Sequence, residues 1–156
     1  MTLLSLLVNN HFGVLTRVTG LFSRRGYNIT GLSVGETENP ALSRITIQTE
    51  TDDARQMCLQ LQKLEDVHDV FPLPEGGTAA QELLLVKLRG RGGGWEWLDG
   101  VLEKFRCNAL HKCEDVCILS FTGDPEEVLA FLSVLDKRDI AELCRTGIAA
   151  ISTKII

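Results

Sequence analysis

No stretch of the 156-residue sequence approaches the roughly 20 consecutive apolar residues that a membrane-spanning helix needs. The apolar run near the start, Leu3 to Val8, is broken by Ser5 and ends at Asn9-Asn10, with no basic region before it. It is too short for the hydrophobic segment of a secretory signal, about 7–15 residues. These absences predict a soluble, cytoplasmic protein without membrane association. Positive charge is also scarce. Sixteen Lys and Arg stand against 21 Asp and Glu, a net charge of −5, and no basic stripe marks a nucleic-acid surface. There is no CxxC pair. The five cysteines (58, 107, 113, 117 and 144) are an odd set, which fits reduced thiols better than a disulfide framework. Cys113 and Cys117 fall in one predicted strand, about 13 Å apart at ~3.3 Å per residue, so they cannot share a metal even with His111 nearby. No metal site is expected. What is present is ordinary for a globular chain: 44% hydrophobic and 24% charged residues, which excludes disorder and collagen-like or low-complexity scaffolds.

The apolar pattern divides the chain into two similar halves. Leu3 to Val8 reads as a buried strand. Apolar positions 14, 15, 18, 21 and 22 follow helical spacing, with Arg24 and Arg25 at the favourable C-terminal end and Gly26 as a breaker. Tyr27 to Val34 and Leu42 to Glu50 read as strands around a turn at 36–40. A helix is predicted from Ala54 to about Leu64, started by Thr51-Asp52-Asp53, and a strand from Val67 to Leu73. The order β-α-β-β-α-β is the ferredoxin-like motif, two helices on one face of a four-stranded sheet. Residues 76–81, which begin with Gly76-Gly77 just after Pro72 and Pro74, read as a linker. The pattern then recurs: strand 82–88, helix 95–105, strands 107–110 and 116–121, helix 126–135 behind Thr122-Gly123-Asp124-Pro125, and closing segments 140–143 and 148–152. A shift of 80 aligns Leu3-Leu4 with Leu83-Leu84, Gly20 with Gly100 and Asn28 with Asn108. The expected class is α+β, two ferredoxin-like βαββαβ domains in tandem, over residues 1–75 and 82–156.

Little in the chain carries chemistry. Gly90-Arg91-Gly92-Gly93-Gly94 lies between a strand and a helix, but Trp95 stands where a G-x-G-x-x-G loop needs its third glycine. It reads as a connector. His11, His68 and His111 fall in separate elements, and none has a nucleophile and acid beside it. Asp52-Asp53 suits a helix N-terminus, and Glu114-Asp115 alternates across a strand. No catalytic residue is predicted. The loop Asn10-His11-Phe12-Gly13 is more suggestive. Gly13 permits a tight turn, and free N–H groups at the following helix start attract an anion such as an amino-acid carboxylate. The amide oxygens of Asn10 and Asn28 offer acceptors for an ammonium group. Asn28, on an outer strand, would then come from a neighbouring copy. The same residues also suit plain turn and strand-entry roles.

These residues carry a resemblance as well. The segment around G-L-F-S-R-R-G-Y-N-I (20–29), with Ser33-Val34, Thr37-Glu38 and Leu42 to Thr46, resembles the ACT domain of the small regulatory subunits of acetolactate synthase (acetohydroxyacid synthase). The second half resembles the same family through E-L-L-L-V-K (82–87), Phe105-Arg106, Thr122-Gly123-Asp124, Ala130-Phe131 and Cys144-Arg145-Thr146-Gly147. The resemblance implies no catalytic centre and no cofactor on this chain. It implies a large catalytic subunit carrying thiamine diphosphate, Mg²⁺ and FAD, activation of that subunit, and feedback inhibition by valine in branched-chain amino acid synthesis. It implies a homodimer through the ACT domains. The effector site would hold Asn10, His11, Phe12, Gly13, Val14 and Leu15, with Asn28 and Ile29 from the partner copy. A free-standing amino-acid sensor is the alternative. This chain departs from the family at His11-Phe12, where small, charged or proline residues precede the glycine. It departs again at the GRGGG loop with Trp95 and Trp97, which fit a partner contact and a core equally well.

Overall fold

A computed structural model describes residues 1–51 and 53–154. Asp52 of the expected helix start therefore lies outside the described residues. The chain forms two compact units, each with its own core.

The first unit runs β1 (Thr2–Asn9), α1 (Val14–Arg24), β2 (Ile29–Glu36), β3 (Leu42–Thr49), α2 (Ala54–Leu61), β4 (Val67–Leu73). Its sheet has the order β2-β3-β1-β4 with every neighbouring pair antiparallel, so β2 is at an edge. Alternation sends Leu4, Leu6 and Val8 of β1 and Ile45 and Ile47 of β3 toward the helices, where they meet Val18, Phe22, Met57 and Leu61. Burying each such side chain contributes about 1.5–3 kcal/mol. The two helices are started differently. Asp53 caps α2 by accepting the Gln56 N–H at 3.0 Å, whereas α1 begins at Gly13, which has φ +86° and no side-chain cap.

The second unit repeats the topology: β5 (Thr78–Arg89), α3 (Glu96–Phe105), β6 (Asn108–Lys112), β7 (Val116–Gly123), α4 (Pro125–Val134), β8 (Ile140–Arg145), in the order β6-β7-β5-β8. Phe131 stacks on Phe121 at 4.7 Å between ring centroids, and Phe105 meets Phe131 edge-on at 5.3 Å. Asp124 and Glu127 form a reciprocal capping box, with Pro125 at the first helical position. Two ferredoxin-like units in tandem are thus present.

The boundaries differ from the sequence reading. The expected linker at 76–81 becomes strand from Thr78 on. The last segment belongs by strand pairing to the five-stranded second sheet, but from Gly147 on it groups by contacts with the first unit. Its strand β9 (Ala149–Ser152) pairs β5, and the Thr153 N–H donates to the Gly77 carbonyl at 3.0 Å. The reason is a short two-residue alternation. Ile148 and Ala150 are buried against Leu73, Leu3, Phe71 and Ala80, while Ala149 and Ile151 are exposed. Cys113 is also displaced from the expected strand. It sits exposed in the β6–β7 turn, while Cys117 is buried in β7.

The Gly-rich loop is a structural connector. Gly92, Gly93 and Gly94 have positive φ, and the Gly90 N–H donates to the Asp115 carbonyl at 2.7 Å. A Cβ at Gly90 would collide with the Glu114 carbonyl oxygen, which is backbone and cannot swing away. Gly90→Ala is therefore expected to cost about 1–3 kcal/mol, the usual range for overpacking, read as a lower denaturation midpoint. Trp95 is core, its Nε1–H donating to the Cys113 carbonyl at 2.6 Å. Trp97 is 38% exposed and lies 5.3 Å from the Arg91 guanidinium.

The β1–α1 loop and its partners

Asn10 to Leu15 form the turn from β1 into α1. The Asn10 N–H donates to the Ala41 carbonyl at 2.8 Å. Its Nδ2 donates to Glu36 Oε1 at 3.0 Å and to the Pro40 carbonyl at 2.9 Å, which leaves the side-chain oxygen of Asn10 as its acceptor. Phe12 points fully into solvent and Leu15 is 40% exposed, whereas Val14 is buried in the core. The backbone N–H groups of His11, Phe12 and Gly13 find no acceptor among the described residues. With the first-turn N–H groups of α1, they make a cluster of donors open to an anion.

Asn28 and Ile29 do not join this loop within one chain. The Asn28 carbonyl accepts from Thr49 Oγ1 at 2.6 Å, and Ile29 pairs with Thr49, which also stands opposite Thr2 at the start of β1. The loop is at the other end, where Asn9 pairs with Leu42. Leu42 and Thr49 are seven steps apart on β3, about 23 Å at ~3.3 Å per residue. The Asn28 side chain is exposed at the start of the edge strand β2.

A further group lies under the loop. Asp66, just before β4, is buried. Its carboxylate accepts from Arg17 Nε at 2.7 Å, from Arg17 Nη2, and from Asn9 Nδ2 at 3.4 Å, and it pairs with His11 Nε2 at 2.9 Å. Asn9 Oδ1 in turn accepts from His68 Nε2 at 2.6 Å. Sequence reasoning missed Asp66, because its partners lie 49 and more residues away and no local spacing announces them. Burial pushes the Asp66 carboxyl up, but hydrogen bonds from Arg17 and Asn9 and the charges of Arg17 and His11 outweigh it, so it ends below its ordinary 3.8. Hydrogen bonds from Arg138 likewise hold Asp136 well below the usual carboxylate range, and one from Lys87 lowers Glu142.

A lowered folded-state value means that stability is present above the ordinary carboxylate range and is lost as pH falls through the folded value. Urea midpoints are therefore expected to hold from pH 7 to about pH 5 and to fall below about pH 4. Asp66→Asn should flatten part of that decline. A midpoint that rises on acidification would contradict the assignment.

Burial pushes the thiols of Cys58, Cys107 and Cys117 up, away from the nucleophilic thiolate. Among the described residues, no group of three or more His, Cys, Asp or Glu side chains converges to hold a metal. No helix among them is long and apolar enough to cross a membrane.

The family model described as "AHAS small subunit-like ACT domain" matches residues 4–69, and the one described as "Small subunit of acetolactate synthase" matches residues 81–154. The acetolactate synthase isozyme 3 small subunit of Salmonella typhimurium is 39% identical over 153 residues, covering 96% of this chain and 94% of that protein. The chain belongs to the acetolactate synthase small-subunit family. The Bacillus subtilis small subunit is 33% identical over 151 residues, covering 95% of this chain and 88% of its own length. The crystal structure of the Thermotoga maritima small subunit superposes with a TM-score of 0.89 at 33% identity, covering 99% of this chain and 98% of that one. Both units of the chain are matched by models of the family.

Proposed function

We propose that this chain binds the large catalytic subunit of acetolactate synthase in the cytoplasm, raises its activity and makes it sensitive to valine. Thiamine diphosphate, Mg²⁺ and FAD belong to the large subunit in this reading, and the small subunit contributes no reacting group. One observation carries the effector site. The turn Asn10–Leu15 and the polar entry to β2, Asn28 and Ile29, stand at opposite ends of one sheet in which β2 is an edge strand. Antiparallel pairing of two β2 edges about a two-fold axis brings the start of one β2 beside the end of the other. The end of β2 carries Glu36, which already accepts from Asn10. Two equivalent sites then form between copies, each with a loop from one and an Asn28 from the other.

Valine's carboxylate would lie on the N–H groups at the start of α1 and its ammonium on the asparagine oxygens. Its side chain would pack beside Leu15 and Ile29. A small apolar side chain is distinguished by packing alone, about 1–3 kcal/mol per methylene, so leucine and isoleucine should compete within modest factors. Valine acts by binding one dimer arrangement better than another, which shifts the attached enzyme toward its slower state. The test is co-purification with a large subunit, then an activity assay with and without valine. Association with a raised rate and a valine-dependent fall is expected. Valine binding without any association would instead identify a free-standing sensor.

A further inference from the structure

Each unit carries the same buried tie. Asp66 immediately precedes β4, and its carbonyl accepts the N–H of Asn9, the last residue of β1, at 2.9 Å. Asp139 immediately precedes β8, and its carbonyl accepts the N–H of Arg89, the last residue of β5, at 2.8 Å. Both are buried, and both carboxylates grip a base that follows the first strand of the unit: Arg17, in the first turns of α1, for Asp66, and Arg91, in the β5–α3 loop, through Nε at 2.8 Å, for Asp139. The tie is thus a feature of the topology. In the first unit it is more elaborate, because it seizes the turn at two points. His11 lies inside the turn, and its Nδ1 sits 3.1 Å from the Phe12 carbonyl while Nε2 pairs with Asp66. Arg17 lies one turn into α1, and its guanidinium reaches back to within 3.3 Å of where a Cβ on Gly13 would stand.

We infer that Asp66 is a positioning residue for the effector site: by holding His11 and Arg17 together, it sets the backbone of His11 to Gly13 in the geometry that binds an amino-acid carboxylate. The inference rests on the reading of that loop given above. The other hydrogen bonds on this backbone are local ones at the helix start, with the His11 carbonyl accepting from the Val14 N–H at 3.5 Å and the Gly13 carbonyl from the Arg17 N–H at 3.0 Å. The hydrogen bonds of Asn10 stop at Asn10, and the Phe12 side chain packs on nothing. Asp66 itself is turned away from the effector, since its oxygens are already engaged by Arg17, His11 and Asn9. A loop held in its binding geometry loses less freedom when the ligand arrives, which strengthens binding without a direct contact.

The experiment is a valine titration of the complex of the full chain with a large subunit. Asp66→Asn keeps the shape and removes the charge. It is expected to raise the half-inhibitory valine concentration roughly two- to thirtyfold, the span for a contact that acts on coupling without touching the ligand. The rate without valine and the inhibition at saturating valine should stay near wild type. Asp139→Asn breaks the equivalent tie in the second unit. It should lower the melting temperature comparably and leave the valine concentration unmoved. Arg17→Lys, at a half-exposed side chain, keeps the charge but loses the fork. It should shift the curve the same way by a smaller factor, and it serves if Asp66→Asn does not fold. Wild-type titrations for Asp66→Asn and Arg17→Lys, with Asn28→Ala unresponsive, would overturn the positioning role and leave the effector site standing. An equal shift from Asp139→Asn would also overturn it, since the effect would then be one of stability. Absence of any valine response in the wild type removes the effector site and this inference together.

Discussion

Combined with a large subunit, a Gly13→Asp variant is expected to give an activated enzyme that valine no longer inhibits. Three effects act in the same direction. Gly13 has φ +86°, where a side chain is strained, although aspartate tolerates it better than most residues. Its Cβ would stand 3.3 Å from the Arg17 guanidinium, so the new carboxylate would compete with Asp66 for that group. Above all, a fixed negative charge would occupy the donors at the start of α1, and a second carboxylate arriving there is repelled. Like charges brought together in a site cost several kcal/mol, so sensitivity should fall at least about a hundredfold. Asn28→Ala tests the other half of the site from the opposite end of the sheet. Its side chain is exposed in a single copy, so the fold should tolerate the change while the valine response is lost. The rate measured without valine separates a lost effector from a lost assembly. Inhibition of both variants at the wild-type valine concentration would show that the effector lies elsewhere.

Truncation of Phe131 should produce the largest loss of stability. It is fully buried, stacked on Phe121 and edge-on to Phe105, in a unit whose core is one cluster of about a dozen side chains. Phe131→Ala removes the contacts on both sides of the ring and leaves a cavity that neighbouring helices fill poorly. The expected cost is about 3–5 kcal/mol, a large share of the stability of a small domain. Because the chain forms two compact units, the loss should be uneven. Hydrogen exchange should accelerate in β5, β7 and α4 while β1 and β3 keep more of their protection. Uniform acceleration throughout both units would show that they unfold as one.

The order of elements was legible from residue periodicity because it is a local property. Alternation at Leu4, Leu6 and Val8, the 3.6-residue stripe through Val14, Val18, Leu21 and Phe22, and the Asp124-Pro125 start each declare an element within one window of sequence. The repeat of that order predicted two ferredoxin-like units, and two are found. The turn Asn10–Gly13 was legible too, since a glycine between a strand and a helix has few other uses. Asp66 was not. Isolated in sequence, it is one acidic residue among 21 Asp and Glu, and only folding brings Asn9, His11 and Arg17 around it.

The sequence by itself thus determined the elements, their repetition, and the absence of a recognisable catalytic or metal-binding motif. Each of these depends on residue type at short spacing. The tertiary structure alone decided which distant groups meet. Ile148 and Ala150 share the alternation of any strand, and only the apolar surface offered by Leu73, Leu3 and Phe71 assigns them to the first unit. The two Trp residues are alike in sequence, yet a carbonyl within reach of Trp95 buries one and leaves Trp97 part-exposed. The separation of Asn28 from the β1–α1 turn follows from antiparallel register, which sends the two ends of β3 to opposite ends of the sheet. Hydrogen-bond partners chosen across tens of residues are set by how strands align, and no local pattern encodes that alignment.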